Sequence, residues 1–288
     1  MHQLTPHPAV SQVLHLPSGP LAVLDTARRA GAPARGDVLL VPGYAGSKED
    51  FAPIVAGLAD AGFRVVALDL PGQHESPGPV ERGAYAVDAL ADVVLAATDR
   101  LSSEPVHLLG HSFGGLVCRA AAIAAPHRLL SLVLLGSGPS AITGARLQRM
   151  HLLEPVLAAG GMPAVLAAMD ELARLDPRSA LVPPKLRAFL QDRFLASSPE
   201  GLQGMGEALR GEPDRVAELA AGGVPLMVAC GEDDDAWQPS TQAEMATRLG
   251  ARHEVIAGAA HSPAVEQPAR TIAVLADFWR AVEQSRAA

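Results

Sequence analysis

Ser112 stands in the run Gly110-His111-Ser112-Phe113-Gly114, directly after the apolar stretch 106–109 and directly before a small-residue segment that stops at Pro126. A strand that enters a helix through so sharp a turn brings together the backbones two residues before and two residues after it. Only small side chains fit there. Such a turn holds its central residue in a strained conformation and lifts its hydroxyl above the sheet edge. It also aims the Phe113 N–H, at the positive end of the helix, toward any oxyanion forming beside that hydroxyl. A serine hydroxyl is a weak nucleophile at neutral pH and needs a base. Among the ten histidines, His261 lies in the loop Gly258-Ala259-Ala260-His261-Ser262-Pro263, between the last strand pattern and the last helix pattern. In a parallel sheet that loop opens on the same edge as the turn. His111 adjoins the serine, but adjacent side chains diverge. His74 reads as a solvated loop residue, and His107 as a core or helix-facing residue within a strand.

The histidine in turn needs an acid to fix its tautomer and steady the imidazolium. The apolar run 224–230 ends in Gly231-Glu232-Asp233-Asp234-Asp235, and these four acids cannot all be partners. Asp234 is the first choice and Asp235 the reserve; Glu232 and Asp233 fit a solvated loop. The end of the preceding strand pattern, Gly136-Ser137-Gly138-Pro139-Ser140, offers no acid.

The elements that must position these groups alternate between strand and helix, which predicts a mainly parallel sheet flanked by helices. Segments 11–16 and 20–25, joined by Pro17-Ser18-Gly19, form an antiparallel pair. Short strand patterns follow at 38–41, 64–68, 106–109, 132–135, 224–229 and 253–256. Phe51, Ile54, Val55 and Leu58 recur at helical spacing after Ser47 and Asp50, a pairing that starts helices. Val87, Leu90, Val94, Ala97 and Leu101 make the stripe of a second helix over about 84–101, and a third helix spans 113–125. Ile272, Leu275, Phe278, Trp279 and Val282 line the closing helix, roughly 268–284. From about 141 to 220 strand patterns vanish. Helical ones replace them, broken at Gly160-Gly161, Asp176-Pro177 and Pro183-Pro184. The reading is an α/β core formed by 1–140 and 221–288, with an all-helical insert, 141–220, between them. The insert holds Met150, Met162, Met169 and Met205, which suit either helix packing or a pocket for varied apolar groups.

The chain has 288 residues, 49% of them hydrophobic and 19% charged, with a net charge of −8. That is enough for one large domain with a sizeable core. Basic residues are scattered rather than clustered, which argues against a nucleic-acid partner. Cys118 and Cys230 form no CxxC pair and sit in apolar runs, so reduced core thiols are expected rather than a disulfide or a metal site. The start, MHQLTPHPAV, lacks a basic stretch followed by an apolar one, and no run approaching 18 apolar residues is read. Cytoplasmic localisation is the expectation. Neither metal nor cofactor is implied, since the glycine-rich loops lack the Lys-Ser/Thr ending of a phosphate loop.

The order Ser112, Asp234, His261, the turn GHSFGG, the strand–loop VPGYAGS and the stretch DLPGQHESPG together resemble the α/β-hydrolase superfamily, in its cap-bearing branch of small serine hydrolases. The similarity covers nearly the whole chain outside 141–220. It implies that Asp234, three residues after the glycine closing its strand, is the acid of a triad. It also implies that the first strand–helix loop supplies a second oxyanion donor, here the N–H of Tyr44, beside that of Phe113. Two departures accompany the resemblance. Pro42-Gly43 stands where the family has a His-Gly pair, whose histidine braces that loop. Gly72-Gln73-His74-Glu75-Ser76 stands where G-H-G-x-S is usual. The implied activity is hydrolysis of a small, hydrophobic carboxylic ester, a small-molecule substrate. The same fold also hosts thioesterases, acyltransferases, lyases and ring-closing enzymes, and non-catalytic ligand-binding members. Because the nucleophile is a serine and not an aspartate, epoxide hydrolysis and dehalogenation are disfavoured.

Overall fold

The computed structural model describes residues 3–26, 35–175 and 181–287. Its strands are β1 Val10–Leu16, β2 Gly19–Asp25, β3 Asp37–Val41, β4 Arg64–Leu68, β5 Val106–His111, β6 Leu129–Leu135, β7 Leu226–Gly231 and β8 Arg252–Ile256. They form one sheet in the order β1-β2-β4-β3-β5-β6-β7-β8. β1 pairs antiparallel with β2, as does β2 with β4; every later pairing is parallel. The central strands β3 and β5 are buried on both faces, which is why they read as continuous apolar runs rather than alternating ones.

The helices are α1 Ala52–Asp60, α2 Val87–Leu101, α3 Phe113–Ala124, α4 Gly144–Arg174, α5 Pro184–Ala196, α6 Pro199–Gly211, α7 Val216–Ala221, α8 Pro239–Leu249, α9 Pro263–Glu266 and α10 Pro268–Ala287. α1 and α10 pack on one sheet face with Phe63, Leu275 and Trp279 in the core there; α2, α3 and α8 cover the other. The Ser47–Asp50 signal is realised as a short 3-10 turn leading into α1, with the Ser47 N–H donating to Asp50 Oδ2 at 3.1 Å. His107 is fully buried, as expected. It lies against Phe63 and Trp279, with Nδ1 2.8 Å from Ser131 Oγ. Cys118 and Cys230 are free and buried.

Between β6 and β7 the chain is helical. α4 bends where Gly161 leaves helical geometry (φ 65°, ψ −164°), between Pro155 and Pro163. The break read at Asp176-Pro177 lies outside the described residues. α4, α5 and α6 share a small core of Leu157, Met162, Val165, Phe194 and Leu202, whereas α7 packs on α3 and α8. The two chain crossings into and out of this region are clamped from below. The buried guanidinium of Arg119 on α3 pairs with Glu212 at 2.7 Å and donates to the Pro139 and Pro213 carbonyls. One expectation needs correction: α4 contains an 18-residue window of mean hydropathy 1.6, long and apolar enough to cross a bilayer by length and composition. The sequence reading missed it because Glu154, Pro155, the paired glycines and Pro163 cut the apolar letters into short runs, while the Leu, Val, Ala and Met residues between them keep the average high.

Candidate active site

The parallel strands deliver the site at their C-terminal ends, the edge where open α/β sheets bind ligands. Ser112 follows β5 with φ 55° and ψ −121°, a conformation L residues rarely adopt. The turn that holds it there is built from its glycines. A Cβ on Gly110 would lie 2.2 Å from the Gly114 carbonyl oxygen, and one on Gly114 would lie 2.4 Å from the Pro42 carbonyl oxygen. His261 follows β8. Its Nε2 is 3.0 Å from Ser112 Oγ, and its Nδ1 is 2.9 Å from Asp234 Oδ1. Asp234 follows β7 and is 2% exposed. The ionised carboxylate only accepts hydrogen bonds, so Nδ1 carries the histidine proton and Nε2 is left to accept the serine hydroxyl. The structure therefore joins Ser112, His261 and Asp234 in one hydrogen-bonded chain. Asp235 is not part of it: the side chain turns outward to Arg146 of α4 at 2.6 Å.

Two groups that sequence reasoning did not single out hold the carboxylate. The Ala236 N–H donates to Asp234 Oδ1 at 2.9 Å, and the fully buried Gln242 donates through Nε2 to Asp234 Oδ2 at 2.9 Å. Gln242 lies on α8, a helix the sequence reading passed over, and nothing local marks a glutamine there. Gly136, at φ 58°, admits the histidine loop: a Cβ on it would lie 3.0 Å from the His261 carbonyl oxygen and 3.2 Å from Asp234 Oδ2.

Tyr44 follows β3. Among the described residues, neither its N–H nor that of Phe113 is taken up by another backbone carbonyl. The Tyr44 phenol donates to the Leu202 carbonyl at 3.1 Å, and burial pushes its pKa up. His74 is corrected. It is not solvated but half-buried, edge-on to Phe189 with rings 5.9 Å apart. Glu49, His74 and Glu75 bring their ligand atoms within 4.8 Å of one another there, but the buried Lys48 ammonium lies 3.0 Å from Glu49 and 2.7 Å from Glu75 and already supplies the cation.

His111 faces the site although it cannot serve as its base. Its Nε2–H donates to the His261 carbonyl at 2.8 Å, and the two rings lie 5.0 Å apart. Burial, then the adjacent His261 ring, depress its pKa to about 4 from an ordinary 6.5, outweighing the opposing hydrogen bond to the His261 carbonyl and the pull of Asp50 and Asp234. The unfolded chain thus binds the proton first. Stability owed to neutral His111 is complete above pH 6.5 and drains as the pH falls toward 4. His111→Gln keeps a donor but does not titrate. Denaturant midpoints measured from pH 7 to 4.5 should therefore fall less steeply for this variant than for the parent. Equal slopes would refute the assignment.

Above these groups lies a cavity of about 390 Å³. Its base holds Ser112, His111 and His261, and its roof is apolar, with Met150, Leu157, Val165 and Phe194 among the lining side chains. Of the insert methionines, Met150 and Met169 line it, Met162 sits in the helical core, and Met205 is buried against Gln73. Four arginines reach its wall: Arg146, Arg149, Arg193 and Arg210. Arg146 pairs with Asp235, Arg193 with Asp50 and Arg210 with Glu154. Arg149 makes no ion pair among the described residues.

The family model of the alpha/beta hydrolase fold matches residues 37–268. The chain belongs to that family. It is 28% identical over 271 residues to the 2-succinyl-6-hydroxy-2,4-cyclohexadiene-1-carboxylate synthase of Enterobacter sp. (strain 638), covering 90% of this chain and 97% of that one. Over 175 residues it is 38% identical to the dihydrolipoyllysine-residue acetyltransferase component of the acetoin cleaving system of Pseudomonas putida, covering 60% of this chain. The chain spans about two fifths of the length of its relatives at 38–39% identity. A carboxylesterase structure from the thaumarchaeon Nitrososphaera gargenis superposes with a TM-score of 0.77 at 23% identity, covering 95% of this chain and all of that one.

Proposed function

We propose that the protein is a serine hydrolase that cleaves a small carboxylic ester carrying an apolar acyl or alcohol group. The single observation that carries this reading is the continuous chain Ser112 Oγ, His261 Nε2 and Nδ1, Asp234 Oδ1, with both links at 3.0 Å or less. In acylation His261 Nε2 takes the hydroxyl proton as Ser112 Oγ bonds to the ester carbon. The oxyanion accepts from the Phe113 and Tyr44 N–H groups. Collapse breaks the bond to the alcohol, which leaves with the proton from His261. Water then attacks the acyl-enzyme by the same route and frees the acid. The helical insert acts as a cap whose apolar side chains exclude water from the reacting carbonyl, with α4 as its roof rather than a membrane span.

A second reading keeps the triad and changes the reaction to a lyase or ring-closing step on a carboxylate-bearing substrate. Arg149 at the cavity wall, without an ion pair among the described residues, favours it, as does the near full-length similarity to a carboxylate synthase.

The test is covalent labelling with a fluorophosphonate, followed by turnover of paired aryl esters, one neutral and one ending in a carboxylate. Labelling at Ser112 with rapid turnover of the neutral short-chain ester is expected. Labelling without turnover of either ester moves the assignment to the second reading. A protein that does not label at all is a ligand-binding member of the fold, and both enzymatic readings fall.

A further inference from the structure

The two departures from the family pattern, at Pro42 and at Gln73, meet in space. With proline in place of histidine, the loop after β3 has no side chain of its own at that position to brace it, yet the loop is strained: Ala45 sits at φ 55°. The brace comes from the loop after β4. Gln73, 2% exposed, donates through Nε2 to the Gly43 carbonyl at 2.8 Å. The Gly46 N–H donates to the same oxygen at 3.0 Å, so both lone pairs are engaged. Gln73 itself is held in a single orientation. Its Oε1 accepts from the Leu70 N–H at 3.3 Å, and Nε2 lies 3.7 Å from Met205 Sδ of the cap helix α6. Turning the amide over would set oxygen against oxygen at Gly43 and nitrogen against nitrogen at Leu70.

The carbonyl of Gly43 and the N–H of Tyr44 belong to one planar peptide group. Whatever fixes the oxygen fixes the direction of the N–H, and hydrogen bonds accepted by the oxygen polarise the N–H further. That peptide lies beside the nucleophile: a Cβ on Gly43 would stand 3.0 Å from Ser112 Cβ. We infer that Gln73 is a positioning residue of the oxyanion hole, aiming and polarising the Tyr44 N–H through the Gly43 carbonyl. It replaces from the neighbouring loop the brace that Pro42 cannot supply. The contact of Gln73 with Met205 ties this donor to the cap, so a cap displaced from α6 outward would loosen it.

This inference rests on the serine-hydrolase reading, which labelling of wild-type Ser112 tests separately. Gln73→Met, of similar length but without a donor, should lower kcat on p-nitrophenyl butyrate by about 10- to 100-fold, part of what loss of a whole oxyanion donor costs. KM should change by less than about two-fold if the substrate's ground state makes no use of the hole. Affinity for an aryl trifluoromethyl ketone, whose tetrahedral adduct places its oxygen in the hole, should fall by the same factor as kcat, while inhibition by butyrate stays unchanged. Gln73→Glu preserves the shape and guards against a misfolded methionine variant. Its protonated carboxyl donates to Gly43 and its ionised form does not. The ratio of its kcat to wild type should therefore fall as the pH rises, and Gln73→His, which keeps a donor, should recover activity. Wild-type kcat in folded Gln73→Met, or a loss shared equally by trifluoromethyl ketone and butyrate, overturns the inference. A flat pH ratio for Gln73→Glu does so too. If wild-type Ser112 labels and these results fail, only the role of Gln73 falls.

Discussion

Ser112→Ala should lower ester turnover by about a million-fold, to the level that binding and the oxyanion donors alone sustain. The protein should stay folded, because the side chain contributes one hydrogen bond, to His261 Nε2 at 3.0 Å, and no packing that alanine lacks. Near-identical thermal midpoints and loss of fluorophosphonate labelling complete the expected pattern. A companion change separates chemistry from strain. At φ 55° and ψ −121° the serine holds a conformation that glycine adopts freely. Ser112→Gly should be as inactive as Ser112→Ala yet more heat-stable, since it releases part of the roughly 1–3 kcal/mol that such a backbone stores. A fold that keeps a strained serine where glycine would be more stable holds that hydroxyl up at the expense of stability. Measured turnover above about a hundredth of wild type in purified Ser112→Ala would remove the nucleophile assignment.

The parts of this molecule legible in the sequence are those whose physics is local. The turn around Ser112 was legible because its packing demands small residues at fixed offsets, and Gly110 and Gly114 meet backbone atoms where any Cβ would collide. The central parallel strands were legible as short apolar runs because they are buried on both faces. His261 was legible from position alone, in a loop that a parallel sheet must open on the Ser112 edge. The supports were not. Gln73, Gln242 and Arg119 carry ordinary polar side chains whose partners lie 30, 8 and 93 residues away, and only the fold brings the pairs together. His74 looked solvated because its own loop is polar; Phe189 of α5, far along the chain, covers it. Between Asp234 and Asp235 the sequence leaves both in play, because adjacent side chains leave a loop in opposite directions. The fold turns Asp234 inward to His261 and Asp235 outward to Arg146.

Asp234→Asn carries the second large effect, and the neighbours of the carboxylate decide its size. An amide has one acceptor where the carboxylate has two, so one of the two oxygen positions must become a donor. At Oδ1 a new NH₂ would face the Ala236 N–H, 2.9 Å away, which the backbone cannot turn. At Oδ2 it would face Gln242 Nε2, also 2.9 Å away, on a side chain whose Oε1 has no partner and which can rotate to accept. The rotation costs the Gln242 bond to the Trp237 carbonyl, at 2.8 Å, and sets two oxygens facing each other there, whereas the opposite amide orientation would set its NH₂ against two donors, the Ala236 N–H and the His261 Nδ1–H. The amide oxygen therefore stays on the His261 side and Nδ1 keeps its proton. What disappears is the negative charge that steadies the imidazolium during proton transfer, not the tautomer. The expected fall in kcat is large but short of the roughly 10⁴-fold that a wrong tautomer brings. The histidine Nδ1–H resonance should survive in the proton NMR spectrum. Asp235→Asn, which only releases Arg146, should stay within about three-fold of wild type, as expected for a solvent-exposed ion pair. Combining Asp234→Asn with Ser112→Ala should add nothing, because residues that act as one unit fail as one unit. A reversed order, with Asp235→Asn crippled and Asp234→Asn active, would break the chain of hydrogen bonds on which the serine's reactivity depends.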